Sequence, residues 1–167
     1  MERKKEVKEI MPESRTYTIR GQNPAAETHK KVQLSRFDPT EQYEIIEFKI
    51  MPAGTPTNSD CYGTISMGKN DNIDPTDPDF TNQNEIAWSH HSVMQRVPPG
   101  VGEGIQISNY EVNDSKIFAY DIWMHTKDQL GNEAVNWFLK IKRYYTTEVS
   151  GSIASLRQAQ YNDQENQ

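Results

Sequence analysis

The sequence predicts an all-β fold, an antiparallel eight-stranded β-sandwich or barrel, on three observations. Apolar and polar residues alternate with a period of two in eight segments between residues 14 and 149. Proline and glycine clusters (FDPT, MPAGTP, DPTDPD and VPPGVGEG) punctuate those segments. Nothing between them offers a crossover helix, which parallel neighbours need over about a dozen residues. The chain has 167 residues, a length that buries roughly two thirds of the unfolded surface in one core. The expected organisation is an N-terminal arm over 1–13, a β-sandwich domain over 14–149, and a C-terminal helix with a frayed tail over 150–167.

In chain order, the arm fits three turns of helix, with Val7, Ile10 and Met11 as a thin apolar stripe and Pro12 as its stop. RTYTIR places Tyr17 and Ile19 on one face, and KKVQLSR does the same for Val32 and Leu34. EQYEIIEFKIM sets Ile46, Phe48 and Ile50 on one side, with Tyr43, Ile45, Glu47 and Lys49 on the other. DCYGTISMG, EIAWSHHSVMQ and GIQISNY continue the pattern. KIFAYDIWMHT is apolar twice over: Phe118, Tyr120, Ile122 and Met124 point one way, and Ile117, Ala119 and Trp123 the other, with Asp121 among them. EAVNWFLKIKRYYTT has a single apolar face, Val135, Trp137, Leu139 and Ile141, against Asn136, Lys140 and Lys142. SGSIASLRQAQY then starts a helix at a serine cap, with Ile153 and Leu156 on one side.

A strand apolar on both faces needs cover on both. For 117–125 the second cover is either a loop or the C-terminal helix, or else another subunit. Burying one large side chain such as Trp123 contributes about 2 kcal/mol.

Chemical motifs are sparse. His90 and His91 are adjacent in a strand and point to opposite faces, so they do not share a metal. Cys61 opens an apolar strand, the setting of a buried thiol, and as the only cysteine it excludes an internal disulfide. No nucleophile elbow is present, and the glycines of PPGVGEG lack the strand-to-helix context of a phosphate loop. The expectation is a protein that is not an enzyme. GKNDNIDPTDPDFTNQNEIAW is the best ligand candidate: Asp71, Asp74, Asp77 and Asp79 are hard oxygen donors suited to calcium, yet Asp-Pro pairs are equally good turn makers. The stretch is read as a hydrated excursion from the scaffold, with no cofactor or else a calcium ion.

Net charge is -6, unevenly spread. Residues 1–36 carry nine Lys and Arg against five Glu; the remainder carries nine against nineteen acidic side chains. A basic face on the folded body, the footprint of a nucleic-acid enzyme, is therefore not expected. No apolar run approaches the length of a membrane-spanning helix.

The eight strands, the charged arm and the two-faced strand together resemble the single jelly-roll capsid proteins of small viruses, over roughly residues 14–149. That resemblance implies a jelly-roll sandwich as a shell tile, copies of itself as partners, and a place in the virion, the alternative being the cytoplasm. It implies that Arg3, Lys4, Lys5 and Lys8 of the arm meet nucleic acid or a neighbour, and that Ile117, Trp123 and Tyr145 serve lateral contacts. The arm departs from the arginine-rich type, since MERKKEVKEIM mixes both signs. A carbohydrate- or other ligand-binding sandwich, calcium-stabilised, is the competing expectation, with Tyr110 and Tyr144 as a stacking platform.

Overall fold

The computed structural model describes residues 14–25, 29–34, 41–54, 58–69, 72–94, 105–113, 118, 121–131 and 133–145. The arm with Arg3, Lys4, Lys5 and Lys8, the C-terminal helix, Ile117 and Asp71 lie outside them. Eight strands form: β1 (Arg15–Asn23), β2 (His29–Val32), β3 (Glu41–Pro52), β4 (Asn58–Ser66), β5 (Glu85–Met94), β6 (Ile105–Val112), β7 (Ile122–Asp128) and β8 (Val135–Tyr145). They build two antiparallel sheets, ordered β1-β8-β3 and β2-β7-β4-β5-β6. The pairing is nested, first strand with last, second with seventh, fourth with fifth, as when a long two-stranded ribbon is rolled up. This is a jelly-roll-like sandwich, with β6 hydrogen-bonded to β5 rather than to β3.

The core lies between the sheets. Phe48, Ile65, Phe118, Ile122, Met124 and Leu139 are completely enclosed. Along β8 the expected alternation holds: Val135, Trp137, Leu139 and Ile141 are buried, and the residues between them face outward. Cys61 is a buried thiol outside any disulfide, as its apolar strand implied. The layers approach closely at Gly63, where a Cβ would lie 2.9 Å from Ile50 Cγ2 and 2.9 Å from Phe48 Cζ. Any side chain there collides with two core residues.

Two expectations are corrected. Strict alternation in β3 sets Tyr43 and Ile45 opposite Phe48 and Ile50, but all four are buried. The register shifts between Ile45 and Glu47, so that Ile46 is an extra residue bulged outward and exposed. A bulge inserts one residue and resets the parity of the strand; both apolar sets thereby reach the core, and Ile46 leaves it.

KIFAYDIWMHT is not one strand either. Phe118 exchanges backbone hydrogen bonds with Tyr43, bridging to the three-stranded sheet (2.8 and 3.0 Å), whereas β7 begins at Ile122 in the five-stranded one. Asp121 marks the break. Its Oδ1 accepts from the Leu34 N–H (3.0 Å) and its Oδ2 meets Lys31 Nζ (2.8 Å). A carboxylate at that point holds the chain as it passes between layers. The facing of Phe118, Ile122 and Met124 is as expected, all inward. Trp123 is half-buried on the outer side, its ring 6.2 Å from His29.

Candidate functional site

The site is built by the excursion between β4 and β5. Its neck is closed by Asn84, whose carbonyl accepts from Met67 N–H (2.9 Å) and whose Oδ1 accepts from Gly68 N–H (2.8 Å). Ser66 Oγ donates to the Gly68 carbonyl (2.6 Å); its 2.9 Å contact with His125 therefore has imidazole Nε2–H donating to Ser66. This buried relay, on the outer side of the five-stranded sheet, fixes where the excursion leaves it.

Two local turns shape the loop. Asp74 Oδ1 accepts from the Thr76 N–H (3.0 Å) and hydroxyl (2.8 Å), and Asp79 Oδ1 accepts from the Thr81 N–H (2.8 Å) and hydroxyl (2.6 Å). Such aspartate turns are a short-range device. Hydrogen bonding from these threonines holds both carboxyls below the ordinary aspartate range. Of the proposed calcium donors, Asp74 and Asp79 thus spend an oxygen each on their own turns, and Asp77 is exposed beside them. Among the described residues, no group of three or more His, Cys, Asp or Glu side chains is placed to hold a metal ion.

The loop folds back over the sheet. Beneath it the buried Glu85 carboxylate accepts from Trp88 Nε1–H (2.7 Å), Asn82 Nδ2–H (3.2 Å) and Asp79 N–H (3.3 Å). Phe80 stands edge-on to Trp88, with ring centroids 4.7 Å apart. Lys127 Nζ on β7 reaches Asp74 at 3.5 Å. The acidic stretch is thus a cover for one sheet face.

Between cover and sheet runs an open groove of about 230 Å³, lined by Tyr62 and His90, by Pro75, Thr76, Pro78 and Phe80 of the loop, by Trp88, and by Asn109, Tyr110 and Glu111 of β6. Tyr62 and His90 pair across β4 and β5 and stack face to face, centroids 4.6 Å apart and planes within 4°. Burial, followed by the charge of Asp60, pushes the Tyr62 phenol up. Asn109 and Glu111 are exposed at the rim.

The sequence-predicted residues are distributed rather than gathered. His90 and His91 do point to opposite faces, His90 into the groove and His91 into the sandwich interior. Tyr110 borders the groove on β6 but alternates with the groove-facing Asn109 and Glu111, its ring near Lys49 of β3. Tyr144 belongs to the other sheet, where its hydroxyl bonds Glu44, so the two form no common platform. Tyr145 stacks on the Arg143 guanidinium (4.9 Å), which also lies over Tyr17 (4.9 Å) and bonds Glu41 (3.0 Å). Trp123 is on β7, separate from both. Sequence reasoning missed Glu85, Tyr62, Phe80 and Trp88. The repeated Asp-x-Thr of DPT and DFT was the available signal that this loop is ordered.

Comparison of the chain with protein-family models, with curated proteins and with solved structures finds no match. Among the described residues no helix is long and apolar enough to cross a membrane.

Proposed function

We propose that this chain is a structural, non-catalytic protein that assembles with copies of itself into a shell, as a capsid component of a virion. The observation that supports the reading is the rolled, nested strand order with edge strands β1 and β3 in one sheet and β2 and β6 in the other. Among the described residues, their outer sides pair with no further strand beyond the bridge of Phe118 to Tyr43 on β3. Open edges pair with other chains unless something blunts them. Large apolar side chains sit near these edges: Tyr17 on β1, the bulged Ile46 and Met51 on β3, and half-buried Trp123 beside β2. Trp123 and Tyr145 are the lateral anchors in this reading, and the arm residues Arg3, Lys4, Lys5 and Lys8 contact a neighbour or nucleic acid.

The test is sedimentation velocity and negative-stain microscopy of the full chain, beside a version lacking 1–13 and the variants Trp123→Ser and Tyr145→Ser. The expected result is a multi-subunit particle for the full chain and a shift toward monomer in the others. A full chain that remains monomeric across salt and pH overturns the reading.

A second reading, a ligand-binding sandwich, is favoured by the aromatic groove alone, since Tyr62, His90, Phe80 and Trp88 meet there under a loop that the fold takes trouble to fix.

A further inference from the structure

We infer that the groove over β4, β5 and β6 binds one ring of a neutral sugar. The assignment deepens the ligand-binding reading and rests on it; it is independent of assembly.

Shape comes first. The aromatic rings are paired with one another, Tyr62 on His90 and Phe80 edge-on to Trp88. Both pairs line the same open groove, a slot rather than a closed box. A box of rings surrounds a quaternary ammonium; a slot receives a flat ring whose C–H faces lie against aromatic carbon. The volume of about 230 Å³ falls below the roughly 300–1,000 Å³ of sites that engulf a drug-sized molecule. One pyranose fits, with the rest of an oligosaccharide in solvent.

Polar groups come next. Trp88 Nε1–H is committed to Glu85, so Trp88 offers only its ring. Asn109 and Glu111 are two apart on the edge strand β6 and share the outer face. At two residues' rise, about 7 Å, they reach hydroxyls on opposite sides of one sugar ring. The amide both donates and accepts, and the carboxylate accepts two sugar O–H donors.

Charge then sets the class. The residues lining the groove include Glu111 and no Lys or Arg, and Asp74, Asp77 and Asp79 lie in the covering loop. Among the described lining residues the fixed charge is the Glu111 carboxylate, with His90 as the one protonatable base, and the nearby Lys127 is engaged by Asp74. A sialylated, sulfated or phosphorylated ring meets net repulsion there, so the ligand is neutral.

The test is titration calorimetry with saturation-transfer NMR on the full chain. The probes are methyl glycosides and oligosaccharides of galactose, glucose, mannose and fucose, with sialyllactose and choline as comparators. At least one neutral glycoside is expected to bind saturably, and more tightly than sialyllactose or choline. Asn109→Ala and Glu111→Gln should each weaken binding about tenfold, the loss of one hydrogen bond to a charged or polar group. Phe80→Ala, at a side chain 65% exposed, should weaken it comparably. Asn109 and Glu111 are exposed, so in those two variants melting temperature and assembly state are expected to stay unchanged. Phe80→Ala also loses its contact with Trp88 and is expected to lower the melting temperature. Loss of sugar binding with assembly intact, or the reverse, thus separates this inference from the shell reading. No saturable binding by any neutral glycoside overturns it, as does tighter binding of sialyllactose or choline, or unaltered binding by Asn109→Ala and Glu111→Gln.

Discussion

The outer face of the five-stranded sheet carries Thr64, Ser66, Trp88 and His125 at its centre, and all four are buried beneath the β4–β5 excursion. The outer face of the three-stranded sheet carries Arg20, Gln22, Lys49, Asn136 and Phe138 around a shallow concavity that no other described residue covers. There Phe138 is half-buried among its neighbours, Met51 is 52% exposed, and Gln22 and Asn136 bond each other at 2.9 Å. The covered face holds small hydroxyls and a tryptophan; the bare one holds long charged stems that lie over their own apolar neighbours. An ionic surface needs no lid. A face of Thr, Ser and Trp does, and the chain supplies one from its own loop.

This contrast is broken or sharpened most strongly by one pair of substitutions. Trp88→Ala removes the ring against Phe80 and the donor to buried Glu85, and is expected to cost about 3 kcal/mol or more in denaturant unfolding. Phe138→Ala on the bare face should cost about 1 kcal/mol. Equal costs would mean that the bare face is covered too, and a cost that grows with protein concentration would identify the cover as another copy.

Mild acid acts on an interior side chain. Burial, and secondarily His90, pulls the His91 imidazole below its ordinary value. In the fold it stays neutral while the unfolded chain takes up a proton, so this contribution is full above about pH 6.5 and falls as pH drops toward the folded pKa. Thermal melts from pH 7 to pH 5 should show the decline, and His91→Gln should flatten it. The two loop aspartates act in a lower window: their depressed carboxyls add stability above about pH 4, lost on further acidification.

Smallest of all is the ion pair on the lid. Lys127→Ala breaks a 3.5 Å contact with Asp74 between two well-exposed side chains. It should change stability by less than about 0.5 kcal/mol. A larger loss would mean that the lid is held from its rim rather than by Asn84 and Glu85.

Much of the scaffold was legible because it depends on short-range pattern. β8 is the central strand of its sheet with one wet side, and Val135, Trp137, Leu139 and Ile141 alternate accordingly. The bulge at Ile46 was not legible, since it is defined by the partner strand and not by β3 itself. Asp121 looked like a flaw in a strand because its partners, Leu34 and Lys31, are distant in sequence. The groove was legible only in fragments. Asp74 and Asp79 announce turns within two residues, but Tyr62, Phe80, Trp88 and Glu111 meet only once the loop has closed over the sheet. The second cover expected on 117–125 is seen only in part, since His125 is buried and Ile117 lies outside the described residues. The lid lies over the neighbouring β4 and β5, and Trp123 stays half-open.

The crossing at Asp121 has a mechanical consequence. Phe118 is stitched into one layer and Ile122 into the other, with only three residues between them. Sliding the layers past each other must stretch that tether or tear out one of its two anchors, whereas bending them together loads neither. A sandwich of this kind resists shear in its plane while still flexing, and pulling experiments along the two directions should yield unequal rupture forces.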